Sequence, residues 1–87
     1  MAESEIDHES ATPVYRQIAA RVIADIEHGV LPVDRRIPSE SDMVKRYGVA
    51  RDTARNAVAY LRDQGYVHTV PHRGTFVLDR SKATEAE

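Results

Sequence analysis

A three-residue connection is the feature that most limits the folds open to this chain. The stretch "GVA", residues 48–50, separates two segments in which apolar residues recur at helical spacing. Gly48 can end the first helix, because glycine accepts the left-handed backbone geometry of a helix C-terminus. A connection this short holds two helices at a fixed angle, as in a helix-turn-helix. We therefore expect helix 2 at about residues 40–47 and helix 3 at about residues 51–64.

An earlier helix is expected at residues 14–28. Apolar residues recur there at steps of three and four from Tyr15 to Ile26, and Gly29 can end the helix. In the loop that follows, Pro38 favours extended geometry in the residue before it, which predicts a short extended piece at residues 36–37. Ser39 then suits the N-cap of helix 2, with Asp42 three residues on as its capping-box partner.

After Gly65 the period changes to that of β-strands. "YVHTV" alternates, "PHRG" is a turn, and "TFVLD" is a second extended run, which together predict a β-hairpin. The expected fold is therefore α+β: a winged helix-turn-helix, in which three helices are followed by a β-hairpin wing. Aromatic residues on the apolar stripes and strands are expected in the core, namely Tyr15, Tyr47, Tyr60, Tyr66 and Phe76.

The charge of the chain is unevenly distributed. The 87 residues carry a net charge of -2, but residues 1–12 contain four acidic side chains and no lysine or arginine. Residues 13–78 hold ten basic and seven acidic side chains, and residues 79–87 sum to -1. We expect a disordered acidic arm at 1–12, one folded domain at 13–78 and a polar C-terminal tail at 79–87. The mildly basic domain suits an anionic partner.

Several classes of protein are disfavoured by what the sequence lacks. The chain has no cysteine, and its four histidines are scattered, so we expect no disulfide, metal or other cofactor. No apolar run approaches the ~20 residues of a membrane span, and the acidic start is unlike a signal peptide. No catalytic set of Ser, His and Asp is evident. We expect a cytoplasmic protein that is not an enzyme.

Helix 3 presents a polar face opposite an apolar one. Ala54, Ala57, Val58 and Leu61 mark the buried side. In a recognition helix the N-terminal end points at base edges, and here it carries Arg51, Asp52, Thr53, Arg55 and Asn56. The arginine fork matches the two acceptors of guanine, and Asp52 can accept from cytosine or repel a wrong approach. Thr53 can donate to a phosphate. The alternative is a solvated face with charge pairs four residues apart.

Other candidate contacts lie outside helix 3. Arg73 sits in the hairpin turn between His72 and Gly74, where a basic wing tip suits a minor groove or a phosphate, although an ordinary soluble turn would look the same. Ser39 is first a helix cap, and a phosphate contact at the same helix start is compatible with that role. Residues 35–36 are both arginine, and either phosphate contact or solubility of the loop would explain them.

The ordered series of motifs resembles the DNA-binding domain of the GntR family of winged helix-turn-helix transcription regulators. The matching stretches are "PVYRQIAARVIADIEHG", "IPSE", "GVARDTAR" and "HRGTFV", which together span residues 13–78. The resemblance implies a sequence-specific double-stranded DNA-binding transcription regulator that binds a palindromic operator as two copies. We expect it to act as a repressor by occlusion. It also implies DNA contacts from Arg51, Thr53 and Arg55, and from the wing at His72, Arg73 and Gly74.

The chain departs from the family pattern in four places. Val33 and Asp34 replace a Pro-Gly pair before the short extended piece. Ser41 stands where a basic residue commonly contacts DNA, and we expect it to remain among the DNA-binding residues. Ala50 replaces the serine that would cap helix 3, a loss that typically costs ~1 kcal/mol. His72 replaces a wing glycine and tolerates left-handed geometry less well.

Three functions remain open at this stage. Members of this family normally continue into an effector-binding and dimerisation domain, whereas this sequence ends soon after the wing. We therefore expect no effector pocket here, and at most a weak homodimer or pairing on DNA. Besides a stand-alone regulator, the chain can be an N-terminal fragment of a longer effector-responsive regulator. It can also be a winged helix that docks a protein, which should carry an apolar patch in place of the basic residues.

Overall fold

The computed structural model describes residues 6–79 and confirms the predicted fold class. Three helices precede a two-stranded antiparallel hairpin: α1 (Val14–Glu27), α2 (Glu40–Tyr47), α3 (Arg51–Asp63), β1 (Val67–Val70) and β2 (Gly74–Val77). Each helix ends within one residue of its predicted limit. The element order is that of a winged helix-turn-helix with the hairpin as its wing.

The two helices of the helix-turn-helix begin differently. At α2 the capping box is complete, because Ser39 Oγ accepts from the Asp42 amide at 3.0 Å and Asp42 Oδ2 accepts from the Ser39 amide at 3.2 Å. Gly48 ends α2 in left-handed geometry at φ 65°. At α3 the N-cap is Ala50, which makes no side-chain hydrogen bond. The start of α3 therefore lacks the stabilisation that α2 has.

One apolar core orients α3. It is formed by Ile18 and Val22 of α1, Met43 of α2, Leu61 of α3, and Val67 and Val77 at the base of the hairpin. These side chains have almost no contact with solvent. Because every element contributes to the same core, the exposed face of α3 has a fixed direction relative to α2 and the hairpin base.

The aromatic side chains occupy different depths. Tyr47 is buried, and Tyr15, Tyr60 and Tyr66 pack half-buried against the core, so the prediction for the tyrosines is confirmed. Phe76 is also half-buried, but it is not among the side chains that pack against the core, and its ring centre lies 6.0 Å from the Arg36 guanidinium carbon. The predicted core position of Phe76 was wrong. The alternating strand pattern marks the face on which Phe76 lies but not how much of that face is covered.

The folded part of the chain extends to Ile6, beyond the boundary at Pro13 that the sequence suggested. Ile6 is 6% exposed and joins the core. Gln17 Nε2 donates to the carbonyls of Asp7 and Thr12 at 2.9 Å, and Gln17 Oε1 accepts from the Asp7 amide at 2.8 Å. One isoleucine in a polar run creates no periodicity, so the pattern could not reveal this packing. The remainder of the predicted arm, 1–5, and residues 80–87 of the predicted tail lie outside the described residues.

The predicted extended piece pairs with the outer edge of β2. Arg36 and Phe76 form an antiparallel bridge. The Ile37 amide donates to the Thr75 carbonyl at 3.0 Å, and the Val77 amide donates to the Arg35 carbonyl at 2.9 Å. The loop preceding α2 is therefore tied to the wing, which places the start of α2 beside the wing turn.

Candidate nucleic-acid interface

The exposed face of α3 carries the predicted recognition residues. Arg51, Asp52, Arg55 and Asn56 are exposed, Thr53 is half-buried, and the opposite face is buried as expected. The hydrogen-bonding side chains at the N-terminal end of α3 therefore point away from the core. In this geometry these side chains are accessible to a large ligand.

Arg51 connects α3 to the start of α2. Its Nη2 lies 3.4 Å from Ser41 Oγ, a long and weak hydrogen bond between exposed side chains. Ser41 stands one residue after the first residue of α2. The contact therefore makes the start of α2 and the start of α3 one continuous surface.

Arg55 has an acidic partner on the same helix. Its Nη1 lies 2.9 Å from Asp52 Oδ1, and the two side chains are 59% and 86% exposed. The sequence left open a solvated face with charge pairs four residues apart. This ion pair agrees with that alternative, except that its two residues are three positions apart. An ion pair this exposed is weak, so Arg55 can change partners at little cost.

The wing turn and the start of α2 enclose a groove of about 470 Å³. Five of the nine predicted site residues line it, together with Arg36: Ser39, Ser41, His72, Arg73 and Gly74. The groove carries two arginines against one carboxylate, that of Glu40, so an anion is favoured there. Because Ser41 lines the groove and also contacts Arg51, the groove continues into the exposed face of α3. We call the surface formed by Ser39, Ser41, Arg51, Arg55 and Arg73 the basic face.

The wing turn needs unusual backbone geometry. The Arg73 amide donates to the Val70 carbonyl at 3.0 Å and closes the turn. His72 has φ 65° and Gly74 has φ 127°. The value at Gly74 is one that only glycine adopts readily, and a Cβ there would lie 3.6 Å from Arg36 Cδ. His72 holds the left-handed geometry expected of the glycine that it replaces.

Arg36 and Arg62 were not among the predicted site residues, but both connect parts of the candidate interface. Arg36 lines the groove, although the sequence could not separate a binding role from solubility. Arg62 Nη1 donates to Thr69 Oγ1 of β1 at 3.1 Å, which links α3 to the wing. The signal available for Arg62 was its position two turns after Arg55 on the exposed face. Its partner in the hairpin could not be identified without the fold.

Other kinds of site find less support among residues 6–79. Within that range no three His, Asp or Glu side chains come together to hold a metal ion. The helices between Ile6 and Asp79 are too short or too polar to cross a bilayer. A second pocket lies between α1 and α3, is open to solvent, and is lined by Tyr15, Asn56, Ala59, Tyr60 and Asp63.

Comparison with known proteins gives a consistent family. The family described as "Bacterial regulatory proteins, gntR family" matches residues 14–77. The HTH-type transcriptional repressor NagR of Bacillus subtilis is 35% identical over 72 residues, which are 83% of this chain and 30% of NagR. This chain therefore spans less than a third of that relative.

Two solved structures share the fold. YtrA from Sulfolobus acidocaldarius, a GntR-family transcription factor, superposes with a TM-score of 0.79 at 32% identity, covering 95% of this chain and 90% of YtrA. AraR(DBD) in complex with operator ORR3 superposes with a TM-score of 0.69 at 35% identity, covering 72% of this chain and 76% of AraR(DBD). The chain belongs to the gntR family of bacterial regulatory proteins and has the winged helix-turn-helix fold of its DNA-binding domains.

Proposed function

We propose that this chain binds double-stranded DNA in a sequence-specific manner and represses transcription, without enzymatic activity. The observation that carries the proposal is the continuity of the basic face. Arg51 reaches Ser41 of α2, and Ser41 shares a groove with Arg73 of the wing. One duplex can therefore contact α3, the start of α2 and the wing at the same time.

Each part of the basic face has a role in this proposal. The start of α3 enters the major groove, where Arg51 reads a guanine through two hydrogen bonds and Asp52 discriminates among bases. Arg55 and Thr53 contact phosphates. Ser39 and Ser41, at the start of α2, contact the phosphate backbone of the DNA. The wing turn of His72, Arg73 and Gly74 lies on the minor groove or its phosphates.

The relatives support this assignment. AraR(DBD), 35% identical to this chain, was solved with an operator, and NagR is a transcriptional repressor. By analogy, two copies bind a palindromic operator whose half-sites lie about one helical turn apart or a multiple of that. We also propose that the protein acts in the cytoplasm, together with the DNA that it binds.

A protein-docking role has weaker support from the surface. Such a module should present exposed apolar side chains in place of the basic face. Among residues 6–79, the large apolar side chains that are exposed are Val30 and Val33, at 66% and 50%. Both lie in the loop between α1 and α2, and neither lines the groove at the wing turn.

Selection from a pool of random duplexes tests the proposal. We expect enrichment of a two-fold symmetric motif with guanine at a fixed place in each half-site. Arg21→Ala removes a positive charge from α1, outside the basic face, and should enrich the same motif. Arg51→Ala should lose the preference for that guanine. A pool that stays random with the parent protein would contradict sequence-specific binding.

A further inference from the structure

The core holds only the base of the wing. Val67 and Val77 form the first pair of the hairpin and are each 1% exposed. Two residues further along β1, Thr69 is exposed and pairs with Thr75. Apolar packing therefore fixes where the wing leaves the core but not the inclination of its outer half, which carries Arg73.

The outer half is held by polar contacts on both sides. On the β2 side, the Ile37 amide donates to the Thr75 carbonyl at 3.0 Å. On the β1 side, Arg62 Nη1 of α3 donates to Thr69 Oγ1 at 3.1 Å. Thr69 Oγ1 lies 3.1 Å from Thr75 Oγ1, so the row of hydrogen bonds runs from α3 across both strands.

We infer that Arg62 and Thr69 are positioning residues that set the inclination of the wing to α3, so that Arg73 and Arg51 reach one duplex together. The inference rests on the proposed DNA-binding function. All the bonds in this row are exposed, so they contribute little to the stability of the fold. Their effect should fall on geometry, because a binding group displaced by about 1 Å loses much of its contribution.

The experiment separates position from charge. Thr69→Val keeps the β-branched shape and removes the acceptor for Arg62, whereas Thr69→Ser keeps the hydroxyl and is the matched control. Arg62→Gln disrupts the same hydrogen bond from the α3 side and also removes the positive charge of Arg62. Binding to the duplex selected above is measured for each variant, alone and combined with Arg73→Ala or Arg51→Ala, after circular dichroism has verified folding.

The expected result is a loss of coupling specific to the wing. In the parent, Arg73→Ala should weaken binding roughly tenfold, the scale of one hydrogen bond to a charged group. In the Thr69→Val or Arg62→Gln background, Arg73→Ala should have much less effect, because the wing is no longer placed. Arg51→Ala should cost the same in every background, and Thr69→Ser should behave as the parent.

Several results would overturn the inference. If Arg73→Ala costs as much in Thr69→Val as in the parent, or has no effect in the parent, the wing is not positioned by this row. If Arg62→Gln weakens binding and lowers the salt dependence while Thr69→Val binds like the parent, Arg62 is itself a phosphate contact. In these cases the proposed function survives. If the parent protein shows no salt-dependent binding to any duplex, both the inference and the proposed function are wrong.

Discussion

Asp52 Oδ1 lies 2.9 Å from Arg55 Nη1, which places a carboxylate within the proposed DNA-contacting face of α3. The pair has two consequences for binding. The carboxylate repels phosphates that approach this end of α3, and it competes with them for Arg55. We therefore expect Asp52 to weaken binding to any duplex that does not offer it a donor, such as the amino group of cytosine.

Asp52→Asn tests this role directly. Removal of the charge should strengthen binding to scrambled duplexes and make the salt dependence steeper by up to ~1 in the log-log slope. It should change the free energy of unfolding by less than ~1 kcal/mol, because the pair is exposed. Asp63→Asn removes the same charge from the far end of α3. Equal binding by the two variants would contradict a local role for Asp52.

Arg51 and Arg55 should respond differently to truncation. If Arg51 reads a guanine, Arg51→Ala should cost about 1–3 kcal/mol in binding free energy and relax the preference at one position in each half-site. If Arg55 holds a phosphate, Arg55→Ala should weaken cognate and scrambled duplexes about equally and lower the salt slope by ~1. Binding curves on both duplexes distinguish these patterns. Two variants that bind like the parent would refute the assignment of α3 as a recognition helix.

The start of α3 offers a stabilising substitution. Ala50 has extended N-cap geometry and makes no side-chain hydrogen bond. Ala50→Ser should raise the free energy of unfolding by about 1 kcal/mol, because the hydroxyl can accept from an amide of the first turn. The matched control is Ser39→Ala, which removes the existing cap of α2 and should lower it by about the same amount. Thermal or urea unfolding measures both, and an unchanged value for Ala50→Ser would mean that the helix start is satisfied in another way.

The wing turn offers a second stabilising substitution. His72 has φ 65°, which disfavours side chains with a Cβ. His72→Gly should stabilise the fold by roughly 0.5–1 kcal/mol, after the greater freedom of glycine in the unfolded chain is taken into account. Gly48→Ala is the converse control, since its Cβ would meet nothing within 4 Å at φ 65°. It should destabilise by about 1 kcal/mol through the backbone alone. A less stable His72→Gly would show that the imidazole makes compensating contacts.

Local patterns predicted the elements well because the signals for them are local. Ser39 with Asp42, Gly48 and the change of period after Gly65 each act within a few residues, and each was found in the structure. Contacts between distant segments were not predictable in the same way. The hydrogen bond from Arg62 to Thr69 depends on how the hairpin returns to α3, which no spacing in the sequence encodes.

The burial of individual side chains was the other property that the sequence pattern did not predict. Ile6 lies in a polar run and Phe76 lies on an alternating strand, yet Ile6 is buried and Phe76 is half-exposed. A single apolar residue carries no period, and alternation does not reveal whether a neighbouring segment covers one face of a strand. For the candidate site, the sequence pointed to the arginines of α3 and the wing, and the structure added the groove at the wing turn, which is lined by Ser41, the contact of Arg51.

A salt titration of binding to duplex DNA tests the central claim most directly. If the basic face neutralises phosphates, the logarithm of the binding constant should fall linearly with the logarithm of the salt concentration, with roughly -0.9 for each neutralised phosphate. The double variant Arg55→Ala, Arg73→Ala should reduce that slope by about 2, and Arg21→Ala should leave it nearly unchanged. A flat response of the parent protein, or the same slope in all three proteins, would contradict the account.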